Sequence, residues 1–152
     1  MRIIIVGGSP DNPRFVHRSL SALDARRRIT LISHGCSDPC ALPAEAWAWA
    51  RGVQTMCHPA NWDLYGRRAE QYRDNAMLND DPPDLLLAIG GGRRVAKMKF
   101  HARLSGINVV SAGARDSARL SAATRLDAAR LPRRVLGALV GRPIALELVS
   151  PL

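Results

Sequence analysis

Three glycine-rich turns carry the residues of this chain that are best suited to chemistry. They are Gly7-Gly8 after the run IIIV, His34-Gly35 after TLIS, and Gly90-Gly91-Gly92 after LLLAI. A glycine after a buried strand lets the backbone come close to a ligand, and the next helix offers an anion its unpaired N–H groups and positive dipole end. The pattern therefore predicts a phosphate- or nucleotide-binding α/β domain.

The elements that must position these turns alternate regularly along the chain. Apolar runs predict five strands, at Arg2–Val6, Ile29–Ser33, Val53–Cys57, Leu85–Ile89 and Ile107–Ser111. Helical spacing of apolar residues predicts helices between them, including one from Trp62 to Leu78. Parallel neighbours need right-handed crossovers, so we expect a single Rossmann-like doubly wound parallel sheet of strand order 3-2-1-4-5.

This strand order brings the turns together. Strands one and four become central neighbours, so the first and third turns border one crevice, with the second turn beside them. The turn residues expected to bind ligand are Gly7, Gly8, Ser9, His34, Gly35, Gly90, Gly91 and Gly92. The spacing fits neither the G-x-G-x-x-G fingerprint nor a Walker loop, which disfavours NAD binding and ATP hydrolysis. The alternative is that each glycine serves only a tight turn.

Composition sets the class of protein. The chain has 152 residues, 47% of them hydrophobic, which suits one domain with a single core. No apolar run approaches the roughly 20 residues of a membrane span, and three cysteines are too few for a disulfide framework. These features predict a soluble cytoplasmic protein with no membrane partner, in which Cys36, Cys40 and Cys57 are free thiols.

The net charge of +9 raises nucleic acid as a partner. Only two of the 22 basic residues are lysine, so the charge also reflects an arginine-rich composition, and nucleic-acid binding is not favoured. Residues 112–152 form an Arg/Ala-rich extension, expected to pack on the same domain or on a second subunit, with a final strand at Ile144–Val149. We expect a homo-oligomer.

A zinc site is a rival hypothesis. His34, Cys36 and Cys40 follow the second predicted strand, and Cys57 and His58 follow the third, so N and S ligands would meet at one edge. The spacing fits no common zinc motif. We therefore expect neither a metal nor a cofactor, and we interpret the thiols as packing residues.

The chain also resembles a known family. The succession IIIVGG, ISHG, AEAWAWARGV, HPANWDLYGRRAEQYRDNAML, PDLLLAIGGGRRVAKM and GINVV resembles the YspA-like, YpsA-related branch of the SLOG superfamily over about residues 1–111. The most specific part contains Pro59, Trp62, Tyr65-Gly66, Arg73 and Met77. The resemblance implies a Rossmann-like protein that binds nucleotides or nucleotide-derived ligands.

Further site residues follow from this block. Arg73 could pair with phosphate through its planar guanidinium, and Asp74 or Asn75 could address ribose hydroxyls or cap the backbone. Arg94 and Val95 make the third turn bulkier and more cationic than the PGG-x-GT turn of the family, and Arg93 or Arg94 could help to hold phosphate. Trp62 and Tyr65 could stack on a base or pack in a core.

Departures from the family motifs weaken a catalytic role. In the HGGARGAD-like turn of the family the acidic position falls on Ala41 here, and no acidic residue lies between Arg93 and Gly106, where related Lonely Guy phosphoribohydrolases place a glutamate. The leading hypothesis is therefore a non-catalytic nucleotide binder. An N-glycosidase that uses Glu70, Asp38 or Asp11 is the enzyme alternative, and DNA binding of the kind shown by DprA is the third.

Overall fold

The computed structural model describes residues 1–8, 13–113 and 147–149, the last as backbone only. The strands are β1 (Arg2–Gly7), β2 (Leu31–Gly35), β3 (Gln54–His58), β4 (Leu85–Ile89), β5 (Asn108–Ala112) and β6 (Glu147–Val149). The helices are α1 (Pro13–Asp24), α2 (Ala41–Trp49), α3 (Trp62–Tyr65), α4 (Ala69–Asn79) and α5 (Arg93–Leu104). A 3₁₀ turn, Gly66–Arg68, joins α3 to α4.

Five strands form the parallel sheet that the sequence predicts. Their order is β3-β2-β1-β4-β5, and every neighbouring pair among them is parallel. The strand β6 extends the sheet by pairing antiparallel with β5, Leu148 opposite Val110. The predicted α/β class and strand order are confirmed. Of the strand predicted at Ile144–Val149, the structure describes Glu147–Val149, and these residues form β6.

The sheet is covered on both faces. Successive side chains of a strand point to opposite faces, so Ile3 and Ile5 of β1 join the cluster that contains α1 and α2 residues. Ile4 and Val6 join the cluster that contains α4 and α5 residues. Because β1 and β4 are buried on both sides, they show the continuous apolar runs expected of a central parallel strand.

Several predicted boundaries are shifted by one or two residues, and two departures have a clear structural reason. The strand β2 runs on to Gly35, because the ladder with β3 continues through His34 opposite Cys57 and Gly35 opposite His58. The predicted helix from Trp62 to Leu78 is interrupted at Gly66, whose φ of 48° is incompatible with a right-handed helix. Consequently α4 begins only at Ala69, and Arg73 lies in its second turn.

Some sequence-based expectations fall outside the described residues. These are the role of Ser9, the acid Asp11 of the enzyme alternative, and the packing of the Arg-rich segment 114–146. In the part of the chain that the structure covers, no helix is both long and apolar enough to cross a membrane.

Candidate functional site

The first and third glycine turns meet at the carboxyl edge of the sheet. The Gly8 N–H donates a hydrogen bond of 2.9 Å to the carbonyl of Ile89, the last residue of β4. A Cβ atom on Gly8 would overlap the carbonyl oxygen of Gly91. The close approach of the two turns therefore depends on glycine at position 8, and the turns lie together as the strand order requires.

The turn between β2 and α2 is fastened to the same edge by one carboxylate. The N–H of Gly7 lies 3.1 and 3.2 Å from the two carboxylate oxygens of Asp38. One of these oxygens also accepts a 2.8 Å hydrogen bond from the N–H of Cys40. Asp38 therefore accepts the hydrogen bond of the Gly7 N–H in the first turn, and it joins the loop after β2 to the end of β1.

Arg94 links this carboxylate to α4. Its Nη1 donates to Asp38 Oδ2 at 2.8 Å, while Nε and Nη2 donate to the two oxygens of Asp74 at 2.8 and 3.0 Å. This two-point pairing suits a planar guanidinium. Arg73 adds a further bond, from Nε to Asp74 Oδ1 at 3.0 Å. Two cations and two carboxylates thus form one ionic network, which ties α4, α5, β1 and the loop after β2 together.

The network changes the ionisation of its members. Burial by itself lowers the pKa of Arg94, but hydrogen bonds and Coulombic attraction from Asp74 and Asp38 outweigh it, so the net shift is upward. Burial raises the pKa of the Cys40 thiol to about 12, the charge of Asp38 adds to this shift, and Arg94 opposes it. The arginine stays charged and the thiol stays protonated at neutral pH.

Arg73 lies beneath the edge rather than at its opening. The residue is 6% exposed, and a Cβ atom on Gly35 would lie 2.6 Å from the guanidinium carbon. Its Nη2 has no hydrogen-bond partner among the described residues and lies 3.8 Å from Glu70 Oε1. In this arrangement the arginine supports the second turn and holds Asp74.

The histidine of the second turn is completely buried. His34 Nδ1 lies 3.4 Å from the carbonyl oxygen of Gly35, and Nε2 lies 3.1 Å from Glu45 Oε1 of α2. The latter contact lacks hydrogen-bond geometry, so Nε2 has no hydrogen-bond partner within the part of the chain that the structure describes. The structure therefore places His34 against α2.

The aromatic candidates Trp62 and Tyr65 lie on the surface. The ring of Tyr65 stacks on that of Tyr72.

Among the residues that the structure describes, the third turn is the part of the edge that remains open. Gly90 and Gly92 have φ values of 70° and 117°, and a Cβ atom on Gly91 or Gly92 would meet nothing within 4 Å. Gly92 is the N-cap of α5 without a side-chain cap, and the first helical bond runs from the Ala96 N–H to its carbonyl. The N–H groups of the first turn of α5 therefore have no intrahelical acceptor.

The cysteines depart from the prediction. Cys36 and Cys57 form a disulfide, with their Cα atoms 5.2 Å apart, and only Cys40 is a free thiol among the described residues. The expectation of three free thiols is wrong because parallel pairing places Cys57 opposite His34, two residues before Cys36. The two bonded sulfurs are not available as thiolate ligands for the zinc site considered above.

Thiol titration should follow this arrangement. Cys40 is buried and its thiol pKa is raised, so we expect no reaction with a thiol reagent at pH 8 in the native, unreduced protein. One thiol per chain should react after unfolding in guanidinium chloride, and three after unfolding with reductant. Two or more reactive thiols in the unfolded, unreduced protein would contradict the disulfide.

Asp38 is the residue whose structural contacts at this edge sequence reasoning did not indicate. The family motif places the acidic position on Ala41, and Asp38 entered only as a candidate acid. The signal was local: an aspartate in a turn accepts the N–H two residues on, as Asp38 does from Cys40. Its contacts with Gly7 and Arg94 join residues 31 and 56 positions apart, and no local pattern indicates them.

Comparison with known proteins supports the resemblance over part of the chain. The model of the YAcAr family, described as the YspA, cpYpsA-related SLOG family, matches residues 1–65. This range contains β1 to α3 and hence the first two glycine turns. A comparison with curated proteins gives no significant match. The resemblance of residues 66–111, which include α4 and the third turn, stays a prediction.

Proposed function

We propose that this protein, whose residues 1–65 match the YspA, cpYpsA-related SLOG family, binds a nucleotide or nucleotide-derived ligand at the carboxyl edge of its sheet. Membership of the SLOG family suggests a nucleotide-related function. The ligand's phosphate would lie on the turn between β4 and α5. Binding or sensing, rather than catalysis, is the proposed role.

The observation that carries the proposal is the open third turn. It lies beside Gly8, between the two central strands, where open α/β sheets bind ligands. Gly91 and Gly92 face open space, and the free N–H groups at the start of α5 attract an anion. Arg93, the first residue of α5, is exposed there.

The other predicted ligand residues take supporting roles in this proposal. The Gly7 N–H donates to Asp38. Arg73 forms an ion pair with Asp74, and Arg94 forms ion pairs with both Asp38 and Asp74. These pairs hold the three loops in place before the ligand arrives. Such preorganisation reduces the entropy cost of binding. Asn75, half-buried on α4 next to Asp74, remains our candidate for a ribose hydroxyl.

Thermal denaturation with added nucleotides tests the proposal. A ligand at 100 times its Kd stabilises a protein by about 2.7 kcal/mol, which for a chain of this length raises Tm by roughly 5–10 °C. We expect such a rise with at least one of AMP, GMP, CMP, UMP, their diphosphates or ADP-ribose at 1 mM, and none with the free nucleosides.

Two arginine variants on α5 provide the matched comparison. Arg93→Gln, at the first position of the helix, should reduce the Tm rise by at least half. Arg103→Gln, in the last turn of the same helix, should leave it unchanged. No Tm rise with any nucleotide, or equal effects of both variants, would argue against the proposed site.

The same nucleotides separate the enzyme alternative from binding. Asp38 accepts hydrogen bonds from Arg94 and two backbone N–H groups. Among the described candidate acids, the enzyme alternative therefore depends on Glu70, whose side chain is 40% exposed. Release of free base from a nucleoside monophosphate, abolished by Glu70→Gln, would replace the binding proposal with glycosidic hydrolysis.

A further inference from the structure

A cleft between α4 and α5 is not used by the proposed phosphate turn. Its volume is about 280 Å³. Glu70 and Asn75 line it from α4, Arg67 from the 3₁₀ turn before that helix, and Arg93, Lys97 and His101 from α5. The cleft begins beside the third turn, because Arg93 is the residue that opens α5.

The lining of the cleft follows from helical spacing. Arg93, Lys97 and His101 are four residues apart, so they form one stripe along α5. Arg67 and Gln71 form the facing stripe before and along α4. Since Cα–Cβ bonds of a helix tilt toward its N-terminus, the Cα–Cβ bond of Lys97 tilts toward the Gly92 end of α5.

Charge in the cleft is not balanced. Arg94 and Asp74, which also line it, belong to the ionic network and cancel against Asp38 and Arg73. Within the described residues, no ion pair involves Arg67, Arg93 or Lys97. Among the described residues, three cations without an ion pair therefore face one further carboxylate, that of Glu70, which already lies 3.8 Å from Arg73 Nη2. This excess attracts an anion rather than a metal ion or an amine.

The size and place of the cleft indicate which anion. The volume of about 280 Å³ lies at the lower end of the roughly 300–1,000 Å³ of small-molecule sites, so the cleft has room for part of a ligand that also contacts the third turn. Lys97 is one turn beyond Arg93, a rise of about 6 Å along the helix axis. A second phosphoryl group attached to the one on the glycine turn would lie within reach of both side chains.

We infer that the cleft is a second phosphoryl subsite, and that the ligand is therefore of the nucleoside diphosphate class rather than a monophosphate. This inference rests on the proposed function. The first phosphoryl group binds at Gly91-Gly92 and the start of α5, and the second is held by Arg67, Arg93 and Lys97.

The test compares mono- and diphosphates by isothermal titration calorimetry at 0.15 M salt. The probes are AMP with ADP, GMP with GDP, CMP with CDP and UMP with UDP. For at least one base we expect the diphosphate to bind at least tenfold more tightly than the monophosphate. Lys97→Gln and Arg67→Gln should each weaken diphosphate binding by about tenfold and change monophosphate binding less than twofold.

Lys99→Gln is the control, because Lys99 is two residues from Lys97 on the same helix and does not line the cleft. It should leave both affinities unchanged, whereas a loss equal to that of Lys97→Gln would show only a general charge effect and overturn the subsite. Equal affinities for mono- and diphosphate would overturn the subsite and leave the proposed function standing. No binding of any nucleotide would overturn both.

Discussion

Replacing Asp38 by asparagine should destabilise the protein by about 3 kcal/mol, the cost of removing one partner from a buried ion pair. The carboxylate is completely buried and accepts from Gly7, Cys40 and Arg94 at once. An amide presents an NH₂ group to at least one of these donors, which leaves a buried polar group unpaired. The Arg94 side chain is 25% exposed, so water can replace part of what it loses.

The change would be measured as the midpoint of thermal unfolding, where about 3 kcal/mol corresponds to roughly 6–12 °C for a chain of this length. Asp63→Asn is the control, because Asp63 is exposed on α3 and should shift Tm by less than about 2 °C, as surface substitutions do. If the two variants unfold at the same temperature, the Asp38 network does not hold the edge together.

Replacing Gly8 by alanine should be as damaging, for a steric reason. The added Cβ atom would overlap the carbonyl oxygen of Gly91, a backbone atom that cannot turn aside as a side chain would. Overpacking of this kind costs about 1–3 kcal/mol, and more where the backbone must move. The ends of β1 and β4 would separate, so we expect a Tm loss of roughly 6 °C or more and loss of nucleotide binding.

Gly91→Ala is the matched control for this substitution. It adds the same methyl group to the other side of the same contact, but a Cβ atom there meets nothing within 4 Å. Its Tm should lie within about 2 °C of the parent protein. Because the methyl group would occupy the open space above the turn, the proposed function predicts weaker nucleotide binding by this stable variant. Equal stability of the Gly8 and Gly91 variants would contradict the described approach of the two turns.

Local pattern was enough to determine the architecture. The continuous apolar runs of β1 and β4 predicted strands buried on both faces, and the regular alternation of strands and helices predicted a parallel sheet. Strand order then followed from general rules of connection. Together these placed Gly8 beside Gly91, as the structure shows. The same reasoning placed the end of β2 too early. Backbone pairing with β3 continues this strand past its apolar run to Gly35.

The sequence by itself thus determined the sheet and the meeting of the first and third glycine turns, because burial and strand pairing follow periods that local residues reveal. Only the tertiary structure decided which charges remain free to meet a ligand. Arg73, Arg93 and Arg94 look alike in the sequence, yet Arg73 and Arg94 are neutralised by Asp38 and Asp74, while Arg93 lies exposed at the open turn. Ion pairing depends on distances between residues far apart in the chain, and those distances exist only after α4, α5 and the loop after β2 have packed against one another.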